Sequence, residues 1–225
     1  MGLSIRLWLA YVRAGAARER ALRRLLPARM HFVHYGWPLR PAKCPCDVHF
    51  CEYLRERNIE GKSVFHFGTG GHHLVGMQNA QARVPNDILG LTLSPHEHSA
   101  YVKRVIRRPA LGKHYKVLFG DIYSLSANLM PMFDIVTLFH LCEFSDASVA
   151  GQRLDDREVL HLFRARLNSR GLMLFYPGSY GFARLAPLLA EEVAVGRLSL
   201  LEKYKSLVVY GGNDQESPAG ETLRT

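Results

Sequence analysis

The stretch VFHFGTGGHH, residues 64 to 73, carries the densest chemistry in the chain. A β-branched and aromatic run breaks there into glycines, as a strand does when it hands over to a tight turn. Gly68 and Gly70 let a ligand approach the backbone where any Cβ would collide with it. His66, His72 and His73 crowd the same turn, and His96, His98 and His140 fall near one sheet edge once the strands below are ordered. Imidazoles suit metal ligation or proton transfer near neutral pH, and Cys142 and Glu143 adjoin His140. No pair is spaced as His-x-x-x-His, so hydrogen-bonding loop histidines are the plainer reading. CPCDVHFC places Cys44, Cys46, His49 and Cys51 within eight residues. Zinc sites usually use a wider Cys-x-x-Cys spacing, so these read as buried structural cysteines and no metal is assigned. No Ser-His-Asp arrangement is present.

The elements that must position these residues follow from periodicity. Apolar residues Ile5, Trp8, Leu9, Val12, Ala16, Leu22, Leu25 and Leu26 recur at helical spacing, with Arg6, Arg13, Arg20 and Arg24 on another face, up to Pro27. An aromatic and proline-rich stretch leads to Asp47, expected to cap a helix ending near Asn58. Strands are expected at 63–67, 88–93, 115–119, 133–139 and 172–177. Helices are expected from His72 to Gln81, from Pro95 to Arg107, and from Asp155 to Asn168 with Gly171 just past the end. LSLLEKY and SLVVYGG read as a closing hairpin. The alternation predicts an α/β, doubly wound, mainly parallel seven-stranded sheet with a C-terminal antiparallel hairpin and an N-terminal helical arm. Residues 1–46 form the arm, 47–212 the main domain and 213–225 a polar tail. Ligands should bind at the carboxyl ends of the strands.

The formal charge of +9 is unevenly placed. Residues 1 to 46 hold nine basic side chains and one acid, leaving twenty basic and nineteen acidic ones for the rest. The basic character belongs to the arm. It can cover the domain, close as a lid through Tyr35 and Trp37, or contact an anionic membrane or nucleic acid peripherally. LWLAYV is too short for a secretory signal, and an organellar transit peptide shares the arm's composition. Four cysteines without a disulfide framework point to a reducing compartment, most simply the cytoplasm.

In order along the chain, VFHFGTGG, GLTLSPHEH, FGDIYSL, FDIVTLFHLCEF and LHLFRARLNSRGLMLFYP resemble the class I S-adenosylmethionine-dependent methyltransferases over about residues 47 to 212. The resemblance implies a Rossmann-like methyltransferase fold, S-adenosylmethionine as cofactor, and methyl transfer to a small-molecule acceptor. It places the cofactor against His66, Phe67, Gly68, Thr69, Gly70, Thr92, Leu93, Asp121, Ile122 and His140. Asp121 would accept from the adenine amino group, with Leu93 and Ile122 flanking the ring. His140, in the loop facing the methyl-bearing sulfur in such enzymes, and Glu143 are the catalytic candidates.

The chain departs from that family where His66 replaces an acid, His72 replaces the third glycine, and Thr92 replaces the ribose-binding acid. Cyclopropane fatty acid synthases and certain small-molecule methyltransferases also carry that threonine. These departures support an alternative, a methyltransferase-like binding or scaffold protein without turnover. A dinucleotide fingerprint fails at His73 and Thr92. FHLCEF lacks the Asn/Asp-Pro-Pro-aromatic stretch of base N-methyltransferases, which argues against a nucleic-acid substrate. Neither the methyl acceptor nor an oligomeric state is specified.

Overall fold

A computed structural model describes residues 32–144 and 154–213, together with Ala10, Arg13, Ala14 and Ala17 in helical conformation. Apart from those four positions, the expected basic helix lies outside the described residues, as does the tail beyond Asn213.

The chain runs α1 (Cys46–Glu56), β1 (Ser63–Phe67), α2 (Leu74–Asn79), β2 (Asp87–Thr92), α3 (Pro95–Arg107), α4 (Leu111–His114) and β3 (Tyr115–Phe119). Two 3-10 turns (Ile122–Ser124 and Ala127–Leu129) precede β4 (Phe133–Thr137), α5 (Asp156–Arg164), β5 (Leu167–Phe175), α6 (Phe182–Ala194), β6 (Leu198–Tyr204) and β7 (Leu207–Gly212). The sheet order is β3-β2-β1-β4-β5-β7-β6. β1 to β5 are parallel, and β7 runs antiparallel to both its neighbours.

Successive strand residues face opposite sides, which splits the core in two. Phe65, Phe67, Val136 and Phe175 pack against Val159, Leu160 and Phe163 of α5 and Leu185 and Leu189 of α6. Val64, Ile88, Ile135 and Leu174 pack against Phe50, Tyr53 and Leu54 of α1, with Tyr101 and Leu111. Both faces are covered, as a mainly parallel sheet requires. The chain winds outward from β1 in one direction and from β4 in the other, so the binding crevice belongs above the β1–β4 pair.

Four local expectations change. Asp47 does not cap α1: Pro45 holds that position, and Asp47 sits buried in the first turn. The expected 72–81 helix shrinks to Leu74–Asn79 because His73, at φ 51°, occupies a left-handed N-cap. The expected helix to Asn168 stops at Arg164, although Asp155 and Glu158 form the capping box that starts it. β5 begins at Leu167 instead of Leu172, because Phe133 pairs with Leu167 and Ile135 with Leu172 across a bulge. Asn168 Nδ2 donates to Asp134 Oδ1 at 2.9 Å and Arg170 turns through φ 62°, so Gly171 lies inside the strand. α6 has no counterpart in the sequence reading; Pro187 interrupts its pattern.

Candidate functional site

The turn after β1 is built on left-handed glycines, Gly68 at φ 85° and Gly70 at φ 58°. Gly68 N–H donates to Leu91 O at 3.0 Å, tying the turn to β2. A Cβ on Gly68 would stand 3.5 Å from His140 Cδ2, so the turn touches the loop after β4. The His72 ring folds over Gly70, where a Cβ would meet it at 2.4 Å. Its Nδ1 accepts from Leu74 N–H at 3.1 Å, capping α2. Thr69 Oγ1 is buried with no hydrogen-bond partner among the described residues.

At the end of β2 a carboxylate appears that the sequence reading missed. Thr92 Oγ1 donates to Glu97 Oε2 at 2.5 Å, and Trp37 N–H donates to Glu97 Oε1 at 2.9 Å. Burial pushes the Glu97 carboxyl above its ordinary range, and Thr92 and Trp37 partly oppose it. The signal was present: Ser94 and Glu97 have the S-x-x-E spacing of a capping box, and Ser94 Oγ accepts from Glu97 N–H at 3.4 Å. Here the Glu97 side chain turns inward.

The irregular segment before α1 crosses this corner. Val33 N–H donates to Leu93 O at 3.0 Å, Ser94 Oγ donates to Tyr35 O at 2.8 Å, and Gly71 N–H donates to Trp37 O at 2.9 Å. Gly36 packs on Gly71, and the Tyr35 and Trp37 rings meet edge to face at 4.8 Å. The lid candidates therefore stand over the carboxyl ends of β1 and β2.

Beneath them lies a buried group of ionisable residues. His66 Nδ1 is 2.8 Å from Thr137 Oγ1, while its Nε2 has no hydrogen-bond partner among the described residues and faces Asp47 Oδ1 at 3.7 Å. His72 Nε2 lies 3.7 Å from Asp47 Oδ2. Burial and repulsion from His72 and His140 push the His66 imidazole down to about 3, and burial pushes Asp47 up to about 7. Burial and Arg104 lower His72 to about 4. His73 is drawn elsewhere, bonding Tyr115 Oη at 2.9 Å and Glu97 O at 2.8 Å. His98 packs near Tyr101 and Phe119. The six histidines therefore do not converge; His66, His72 and His140 gather around Asp47.

The two catalytic candidates are joined. His140 Nδ1 donates to Glu143 Oε1 at 3.1 Å, and the same oxygen accepts from Ser179 Oγ at 2.6 Å and Tyr180 N–H at 3.0 Å. Burial disfavours the charged imidazole, but Cys44 and Glu143 outweigh it and raise His140 above its ordinary range. Cys44 Sγ lies 3.7 Å and Cys46 Sγ 3.8 Å from His140 Nε2. The Cys46 thiol and the His140 imidazolium hold the Cys44 thiol low, against the cost of its burial. His49 and Cys51 do not join them: His49 Nδ1 is 2.7 Å from Ser206 Oγ, and Cys51 is buried in α1.

Gly181 fixes the loop after β4. A Cβ there would stand 2.4 Å from Leu141 O and 2.9 Å from Glu143 N, contacts that backbone cannot relieve. Gly181→Ala should cost about 3 kcal/mol, the upper end of overpacking losses. Urea denaturation checks this, and a loss below about 1 kcal/mol would show that the loop moves freely.

Asp121 is buried, and its Oδ1 accepts from Tyr123 N–H at 3.0 Å, capping the turn at Ile122–Ser124. Ile122 packs into the β1 core, and Leu93 lies at the end of β2.

No family model and no curated protein matches the chain. Solved structures do. The CcbJ methyltransferase from Streptomyces caelestis superposes with a TM-score of 0.56 at 12% identity, over 79% of this chain and 94% of that one. A putative S-adenosylmethionine-dependent methyltransferase from Methanococcus maripaludis gives 0.55 at 12% identity, over 77% and 88%. The N-methyltransferase NodS from Bradyrhizobium japonicum, in complex with S-adenosylhomocysteine, gives 0.53 at 14% identity, over 79% and 92%. This is the class I methyltransferase fold. The strand order places the Gly68–Gly70 turn, Thr92 and the loop carrying His140 along one edge. No helix among the described residues is long and apolar enough to cross a membrane.

Proposed function

We propose that the chain binds S-adenosylmethionine along the carboxyl ends of β1, β2 and β3 and transfers its methyl group to a small molecule. The supporting observation is the left-handed Gly68–Gly70 turn beside the β1–β4 switch point, in a methyltransferase topology. The residues fit such a cofactor: Thr69 Oγ1 is buried without a hydrogen-bond partner among the described residues, and left-handed Gly68 places no Cβ between the turn and His140. When bound, the cofactor supplies an electrophilic methyl on a sulfonium.

The chain's own residues do the rest. His66, Phe67, Gly68, Thr69 and Gly70 form the floor, with Leu93 and Ile122 flanking the adenine and Asp121 accepting from its amino group. Thr92 and Glu97 together provide the oxygen cluster that a lone threonine lacks for the ribose. Tyr35 and Trp37 exclude water from above. Glu143 orients His140, which is held above its ordinary range and keeps a proton beside the acceptor, and positioning supplies the remainder. Among the structures that share this fold, NodS is an N-methyltransferase.

The test is calorimetric titration with S-adenosylmethionine and S-adenosylhomocysteine, paired with acceptor screening. Micromolar binding that weakens at least tenfold in Asp121→Ala is the expected result, with circular dichroism confirming that the variant folds. Absence of binding to either molecule in folded protein would overturn the proposal and favour a binding or scaffold role. The His72 ring over Gly70 would then be the physical cause.

A further inference from the structure

The cysteine pair and His140 have a geometry that methyl transfer does not require. Cys44 Sγ and Cys46 Sγ are 3.4 Å apart, and the His140 Nε2 contacts are 3.7 and 3.8 Å. The three donor atoms all lie within 4.8 Å of one another. A tetrahedral ion with sulfur at about 2.3 Å and nitrogen at about 2.0–2.1 Å has edges of about 3.8 Å between sulfurs and about 3.6 Å between sulfur and nitrogen. The triangle is therefore close to one face of such a tetrahedron, with small adjustments.

The surroundings supply what a ligating histidine needs. Nδ1–H donates to Glu143 Oε1 at 3.1 Å, so Nε2, which faces the two thiols, is the nitrogen left to ligate once it releases its proton. That carboxylate is itself held by Ser179 Oγ and Tyr180 N–H, so the ring orientation is fixed before any ligand arrives. Pro45 between the cysteines keeps the pair at the start of α1, opposite the loop after β4. Cys46 is buried whereas Cys44 and His140 are partly accessible, which gives an ion a path in.

We propose that Cys44, Cys46 and His140 bind a soft divalent cation, with zinc the best match, and that Glu143 is the positioning residue for the imidazole. Two thiolates and one imidazole select zinc over magnesium or calcium, which take oxygen donors. On ligation the Cys46 thiol and the His140 Nε2–H give up their protons to water, while Cys44 is already held towards its thiolate. Three protein donors leave a tetrahedral ion one position for water or an incoming thiol or alkoxide, the arrangement of reactive zinc sites. The site does not rest on the methyl-transfer reading, although it adjoins the Gly68 turn through the His140 ring.

The test uses full-length protein purified under reductant, stripped with chelator, and titrated with cobalt(II) and then zinc(II). One equivalent of cobalt should give a near-ultraviolet thiolate charge-transfer band with intense visible tetrahedral bands, displaced by one equivalent of zinc. Cys44→Ser and Cys46→Ser should lose the charge-transfer band in whole or large part, whereas Cys51→Ser keeps it. Glu143→Gln should weaken cobalt affinity about 10–100-fold while leaving the band shape intact. A folded wild type that shows no charge-transfer band would overturn the site. So would a band that survives both Cys44→Ser and Cys46→Ser, or a Cys44–Cys46 disulfide found by mass spectrometry in the reduced preparation. Calorimetry with S-adenosylmethionine on the same samples separates the two readings. Cofactor binding without cobalt binding sinks only the metal site; cobalt binding without cofactor binding sinks only the methyl-transfer reading.

Discussion

Acidification from pH 6.5 to 4 should remove up to roughly 6 kcal/mol of stability, at about 1.4 kcal/mol per proton per pH unit. The cause is the set of histidines packed neutral against the glycine turn and α3. His66 is pushed down to about 3 by burial and neighbouring imidazoles, and His72 and His73 to about 4 chiefly by burial. A group lowered in the fold contributes stability that is present above its unfolded value and lost as pH falls towards its folded one. Three histidines therefore favour the unfolded chain by three protons across that window.

Asp47 acts in the opposite direction. Burial raises it to about 7, so its contribution is fully present below its ordinary value of 3.8 and is lost as pH rises through 7. Glu97, also raised by burial, acts with Asp47, so the net effect is at most about two protons against folding on acidification. Cys44 is lowered and His140 raised, so the two work with opposite signs above pH 6.5. Below it Cys44 adds to the acid loss. The predicted loss rivals the whole stability of an ordinary domain, so unfolding should set in near pH 5. Urea denaturation at pH 6.5, 5.5 and 4.5 measures the slope. Asp47→Asn removes the opposing proton and should steepen the fall by about 1.4 kcal/mol per pH unit. A wild-type stability that stays level over this window would show that the histidines are solvated.

The second large effect lies away from the candidate site. Glu192 is fully buried near the end of α6 and faces Arg197 at 2.7 Å, His161 at 3.0 Å and Arg164 at 3.2 Å. One carboxylate thus links α5, α6 and the turn into β6. Glu192→Ala would leave the mostly buried Arg164 guanidinium unpaired, and removing one partner of a buried pair costs about 3–5 kcal/mol. Glu192→Gln keeps the shape and part of the hydrogen bonding and should cost about half as much. Equilibrium denaturation near neutral pH distinguishes them; a loss below about 1 kcal/mol for the alanine variant would mean that water already reaches the cluster. Since α6 follows Ser179 and Tyr180, which hold Glu143, the alanine variant should also loosen the loop carrying His140.

Much of the architecture was determined by the sequence through local rules. The strands Ser63–Phe67 and Tyr115–Phe119 and the helix Pro95–Arg107 follow from β-branched runs, a first-turn proline and an N-cap serine, and the structure has the same bounds. The closing hairpin and the Gly68–Gly70 turn were legible for the same reason. Each depends on backbone preferences within a few residues.

Tertiary structure decided the rest. The early start of β5 depends on Phe133 pairing with Leu167 and on Asn168 reaching Asp134, which no local pattern encodes. Asp47 reads as a helix cap until burial turns it towards His66 and His72, and Glu97, which the sequence reading did not single out, is drawn inward by Thr92 and Trp37. By spacing alone Cys44 and Cys46 group with His49 and Cys51, their neighbours in the chain. Only the parallel order of β1 and β4 carries His140, more than ninety residues on, to within 3.8 Å of them. Periodicity reports which face of an element is apolar, but which side chains meet across that face is set by the packing of the whole sheet.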